Sequence, residues 1–170
     1  MNALLEDSAI TWTHHEAKSA SLSSENDRVD ASNENTGGHL QLANTETKHF
    51  KRVLIVDDSE VQAKSLGMLL ELMGHKVCVA FNGPSALRAL ADFHPDVALV
   101  DVGLPGMSGY EVARGIREQP QFRSIVLIAQ TGWDREEDRE RSREAGFDHH
   151  LSKPIDHQRL QEILATQSEN

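Results

Sequence analysis

The sequence predicts a doubly wound α/β fold, a parallel sheet of five strands with helices on both faces. Three observations predict it. Five short apolar runs, the fifth weak, follow one another from residue 53 onward. They are rich in β-branched residues and do not alternate apolar with polar, so each reads as a strand buried on both faces. Amphipathic stretches with helix start and stop signals separate them. A repeated strand–helix order builds a parallel sheet, and right-handed crossovers place every loop that follows a strand on one edge.

The elements follow in order. The first run is Val53-Leu54-Ile55-Val56. Ser59, with Gln62 three residues on, reads as a capping box that opens a helix, and Gly74 closes it. The second run, Val77-Cys78-Val79-Ala80, precedes Asn82-Gly83-Pro84, where the proline suits a first helical turn. The third run is Val97-Ala98-Leu99-Val100 and the fourth is Ile125-Val126-Leu127-Ile128-Ala129. Asp134 with Glu137 predicts the start of the next helix, and Gly146 its end. A weak fifth run surrounds Leu151, and Asp156–Thr166 reads as the last helix.

Residues 1–49 differ in kind. They hold eight acids, three bases and many Ser, Thr and Asn, with scattered apolar residues and Gly37-Gly38 between them. So little apolar surface does not offset the entropy lost on ordering. The expected organisation is a disordered, polar and acidic N-terminal tail over 1–49, a folded domain over 50–167 and a short C-terminal tail over 168–170. A short helix over Asn2–Ile10 is compatible with the pattern.

Composition narrows the function. The chain has 170 residues, enough for one domain and a tail. Acids outnumber Lys and Arg by 27 to 17, a net charge of −10, which argues against nucleic acid or an anionic membrane as partner. No apolar run approaches the roughly 20 residues of a membrane-spanning helix. Glu6 and Asp7 stand where a signal peptide would be apolar, so a cytoplasmic location is expected. The single cysteine, Cys78, excludes an internal disulfide and a multi-cysteine zinc site. The nine histidines are dispersed, and His14-His15 and His149-His150 lack partners at ligand spacing.

The chemistry gathers at the strand ends. Asp57-Asp58-Ser59 follows the first run, Asp101 the third, Thr131 the fourth and Lys153-Pro154 the fifth. The topology brings three carboxylates, a hydroxyl and an amine to the edge where open α/β sheets bind ligands. Three close carboxylates repel one another unless a cation joins them. An all-oxygen set suits Mg²⁺, which takes one or two carboxylates plus a phosphate. Lys153 and Thr131 would then serve the phosphoryl oxygens.

These residues carry a resemblance. The segments V-L-I-V-D-D-S (53–59), L-V-D-V-G-L-P-G-M-S-G (99–109), A-Q-T-G (129–132) and F-D-H-H-L-S-K-P (147–154) resemble the receiver domain of two-component response regulators, over about residues 50–167. Thr131 lies 30 and Lys153 lies 52 residues after Asp101, as in that family. The resemblance implies the flavodoxin-like receiver fold with strand order 2-1-3-4-5. It makes Asp101 the phosphoacceptor, Asp58 a direct Mg²⁺ ligand, Asp57 a ligand through water and the Gly103 carbonyl a further ligand. Thr131 would swing to the phosphate and Lys153 would pair with it, with a cis Lys153-Pro154 bond. The implied partners are a sensor histidine kinase or histidine phosphotransfer protein and a downstream protein. No organic cofactor and no enzymatic turnover are expected beyond self-catalysed phosphorylation and slow dephosphorylation.

Two positions depart from the family pattern. His150 stands where the family usually has the Tyr or Phe that acts as a rotamer switch with the Thr, and imidazole titrates near neutrality when unperturbed. Gly103 and Trp133, at positions that tune hydrolysis, offer no group that activates water. Other functions fit less well. A phosphatase of the haloacid dehalogenase type needs a general acid two residues after its nucleophile, where Gly103 stands. An FMN carrier would meet repulsion between its phosphate and Asp57-Asp58. A phosphorylation-independent scaffold of receiver fold is the alternative.

Overall fold

The computed structural model describes residues 10–12, 50–132 and 135–166. Five parallel strands form its centre: β2 (Arg52–Val56), β3 (Lys76–Ala80), β4 (Val97–Asp101), β5 (Val126–Thr131) and β6 (His149–Ser152). Numbered among themselves they lie in the order 2-1-3-4-5, the order the resemblance implies. A sixth strand, β1 (Ile10–Trp12), runs antiparallel along the outer edge of β3, with Ile10 opposite Ala80 and Trp12 opposite Cys78.

Successive strand residues face opposite layers, and both layers are apolar. Leu54 and Val56 of β2 pack with Leu90 and Phe93 of α2 (Gly83–Phe93) and with Val112 and Ile116 of α3 (Gly109–Arg117). Val53 and Ile55 pack with Leu66 and Leu70 of α1 (Glu60–Leu72) and with Leu160 and Ile163 of α5 (His157–Thr166). Val53 to Val56 are all fully buried, which is why the run shows no alternation. The remaining helix, α4 (Glu136–Ala145), gives the core little more than Ala145.

The helix punctuation is partly as predicted. Asn82 caps α2, its side chain accepting from the Ser85 amide at 2.9 Å, and Pro84 sits in the first turn. Gly146 ends α4 with a left-handed φ of 97°, which glycine adopts without steric cost. The Ser59–Gln62 capping box does not form. Ser59 stands at the N-cap of α1 without a side-chain cap, and its amide donates to Asp57 Oδ1 at 2.9 Å. The capping box that forms is Ser108 with Glu111, at the start of α3. The α4 helix starts at Glu136 with Arg135 at its N-cap, two residues after the predicted Asp134, which lies outside the described residues.

Ile10–Trp12 lie within the segment read from sequence as tail. They form a strand because β3 offers them a pairing edge, and that partner is far away in sequence. Ile10 also packs, half-buried, against the core beneath α2 and α3. The helix over Asn2–Ile10 and the other tail residues lie outside the described residues, apart from Ile10 itself in β1.

A chain beginning at Phe50 is expected to keep the fold and lose about 1–2 kcal/mol, the worth of one half-buried isoleucine and a short edge pairing. That lowers the thermal midpoint by roughly 3–8 °C. Circular dichroism melts of the two chains make the comparison, and loss of cooperative melting would show β1 to be indispensable.

Candidate functional site

The predicted residues meet at the C-terminal edge of the parallel strands. Asp57 directly follows β2 and is only 2% exposed, with its amide donating to the Ala80 carbonyl at 3.2 Å. Asp58, next to it, is exposed. Asp101 is the last residue of β4, and the buried Thr131 is the last of β5. Lys153 follows β6. Neighbouring strands are in register here, with Asp101 opposite Gln130 and Thr131 opposite Ser152. One carboxylate oxygen from each of Asp57, Asp58 and Asp101 lies within 4.8 Å of the others.

Lys153 joins two of these carboxylates. Its Nζ donates to Asp57 Oδ2 at 2.7 Å and to Asp101 Oδ2 at 2.6 Å. The Lys153 amide donates to the Thr131 carbonyl at 2.7 Å, and the Lys153-Pro154 bond is cis. Burial pulls the ammonium pKa down, but the bonds to Asp101 and Asp57 outweigh it and hold it above the ordinary lysine value. Because the folded value is the higher one, this contribution to stability is complete below about pH 10 and is lost as pH rises through the raised value.

The other carboxylate oxygens are also positioned. Asp57 Oδ1 accepts from the Ser59 amide at 2.9 Å, and Asp101 Oδ1 accepts from the Gly103 amide at 2.8 Å. Each oxygen keeps a second lone pair for another partner. The set is hard, anionic and purely oxygen, which fits Mg²⁺ with water completing its shell.

His150 does not reach this pocket. It lies on β6 opposite Ala129, half-buried, with Nδ1 3.1 Å from Ser142 Oγ of α4. Ser142 Oγ also lies 2.9 Å from the Asp138 carbonyl oxygen, one turn back on α4. Trp133 lies outside the described residues.

Two features escaped the sequence reading. A Cβ on Gly109 would run into the Asp101 carbonyl oxygen and come within 2.7 Å of Val102 Cα. The start of α3 therefore presses on the backbone that carries Asp101. Ser108 fixes that start, its hydroxyl and then its amide holding the Glu111 carboxyl below the usual range. The S-x-x-E spacing of Ser108–Glu111 was a readable signal; for Gly109, nothing local announces a close approach.

A family model described as "Response regulator receiver domain" matches residues 53–165. The chain belongs to this family. It is 35% identical over 114 residues to the polar-differentiation response regulator DivK of Brucella ovis, covering 67% of this chain and 93% of that one. A solved structure of the chemotaxis protein CheY4 of Vibrio cholerae superposes with a TM-score of 0.65 at 27% identity, covering 69% of this chain and 98% of that one. The receiver domain of a sensor histidine kinase from Pseudomonas aeruginosa matches with a TM-score of 0.64 at 31% identity, over 70% of this chain and 98% of that one. That structure has a magnesium ion coordinated in its active-site cleft. Receiver domains bind Mg²⁺ in this acidic pocket, and here Asp57, Asp58 and Asp101 form the corresponding cluster. Among the described residues, no helix is long and apolar enough to cross a membrane.

Gly109→Ala is expected to cost about 2–4 kcal/mol, because the nearest clashing atoms are backbone and have little freedom to move. Urea denaturation measures the loss, and an unchanged midpoint would show that α3 shifts freely away from Asp101.

Proposed function

We propose that this receiver domain accepts a phosphoryl group on Asp101 from a phosphohistidine and signals through protein contacts. The donor is a sensor histidine kinase or a histidine phosphotransfer protein, and the setting is the cytoplasm. The domain acts as a switch whose lifetime sets the signal, rather than as an enzyme turning over a separate substrate. One observation carries the reading: the Lys153 ammonium bridges Asp57 and Asp101 at the rim of a three-carboxylate cluster.

Each residue then has a task. Asp58 would hold Mg²⁺ directly and Asp57 through water, with Asp101 and the Gly103 carbonyl as the other protein ligands. Bound Mg²⁺ supplies neutralisation of charge on the phosphoryl oxygens. An Asp101 carboxylate oxygen attacks phosphorus, an O–P bond forms, and the P–N bond to the donor imidazole breaks. The electron pair leaves with that imidazole, which takes up a proton. Lys153 moves its contact from the Asp101 carboxylate to a phosphoryl oxygen, and the Thr131 hydroxyl donates to another. His150, on the strand beside Thr131, is the proposed partner in the rotamer change, exchanging its Ser142 bond as Thr131 moves. The magnesium in the Pseudomonas aeruginosa relative supports the metal assignment.

Incubation with acetyl phosphate and Mg²⁺, followed on a phosphate-affinity gel, should give one shifted band. EDTA or Asp101→Asn should abolish it, and a shift that persists in Asp101→Asn would overturn the assignment. Asp58→Ala should weaken Mg²⁺ at least tenfold, as expected for loss of a direct carboxylate ligand. Calorimetric titration reads this directly, and undiminished affinity would remove Asp58 from the ligand set.

A further inference from the structure

A second feature lies among α4, β6 and α5 and includes none of the pocket's acids. Two hollows of about 240 and 300 Å³ adjoin there, sharing Arg139, His150 and Arg159 in their walls. Arg143 and His149 line the smaller of the two, together with Phe147 and Ile163. Three arginines and two imidazoles thus converge on one small concave region of a chain whose net charge is −10.

The placement is selective. The α4 sequence is mostly charged, with acids and arginines interleaved. Arg139 and Arg143, four residues apart and so on one helix face, line the hollows. Glu136, Glu137, Glu140 and Glu144 do not. The acids that do border the region are already engaged. Asp148 accepts from Arg117 Nη2 and from the Leu127 amide, both at 2.7 Å. Asp156 accepts from the amides of Gln158 and Arg159 at the start of α5. Arg159 meets Glu162 only in an exposed pair, and Arg143 makes no ion pair among the described residues.

We propose that these hollows form a binding site for a small phosphorylated molecule, a phosphate ester carrying two or more negative charges. Guanidinium forks present paired N–H donors that match phosphate oxygens. Several converging cations call for more than one charge on the ligand. The combined volume suits a small molecule, and Phe147 with Ile163 offers an apolar floor for its organic part. The His149 pKa is consistent with this setting: burial lowers it, Asp148 raises it and Arg159 lowers it further, leaving it below the ordinary histidine value. The site uses none of the residues that hold the phosphoryl group and goes beyond the phosphorelay reading.

Inorganic pyrophosphate is the probe, titrated into the full-length protein in EDTA and followed by NMR. The expected result is saturable shifts at Arg139, Arg143, His149 and Arg159, with a rise in the His149 pKa on binding. Arg143→Ala and Arg159→Ala should each weaken binding at least tenfold. Shifts matched by sodium chloride of equal ionic strength, or undiminished in both variants, would overturn the proposal. So would tighter binding of a hexaglutamate peptide, which would assign the surface to an acidic protein segment. Acetyl phosphate labelling of Asp101, run alongside, separates failure of this site from failure of the phosphorelay reading.

Discussion

The ammonium of Lys153 holds together residues that the chain brings from three places, 96 residues apart at one contact and 52 at the other. Asp57 and Asp101 end on adjacent strands, and their like charges would push those ends apart without a cation between them. The lysine meets both because β6 stops at the same level as β4 and β5. That level is set by register: a slip of one residue would turn every side chain of a strand to the other face. The register is in turn fixed by the core, because alternate side chains of β2, β3 and β4 are fitted to different helices on the two faces. The pocket is thus an outcome of the packing of Val53 to Val56 and their counterparts.

Much of this was legible in the sequence. Runs without alternation report burial on both faces, and the strand–helix order reports a parallel sheet. Together these place Asp57, Asp58, Asp101, Thr131 and Lys153 on one edge before any coordinates are known. What was not legible depends on partners distant along the chain. The Ile10–Trp12 strand exists through its pairing with β3. Ser59 fits a capping pattern, yet its amide is taken by a carboxylate two residues earlier. The need for glycine at 109 is a close approach of α3 to β4, a tertiary contact with no periodic trace.

The helices differ in how firmly they are held. On α1, α2, α3 and α5 several apolar side chains enter the core. On α4, Ala145 and the buried Ser142 are the main anchors, and Arg141 lies over the Tyr110 ring at 5.1 Å. A helix with so little buried apolar surface belongs to the low-stability part of a fold, where local rearrangement costs least. Its contact with β6 runs through the Ser142–His150 pair, two strand residues before Ser152 and the lysine that follows it.

The antiparallel strand at the outer edge has a consequence for growth of the sheet. It covers Cys78 to Ala80, and the uncovered start of β3 carries the charged Lys76. Exposed strand edges are where chains join into longer sheets, and charge or a covering strand discourages it. Of the two flanks, among the described residues, the β6 side is therefore the one left with backbone able to recruit another strand. Lateral association there would lie along the strand that delivers Lys153, so lengthening the sheet and emptying or filling the pocket would act on the same few residues.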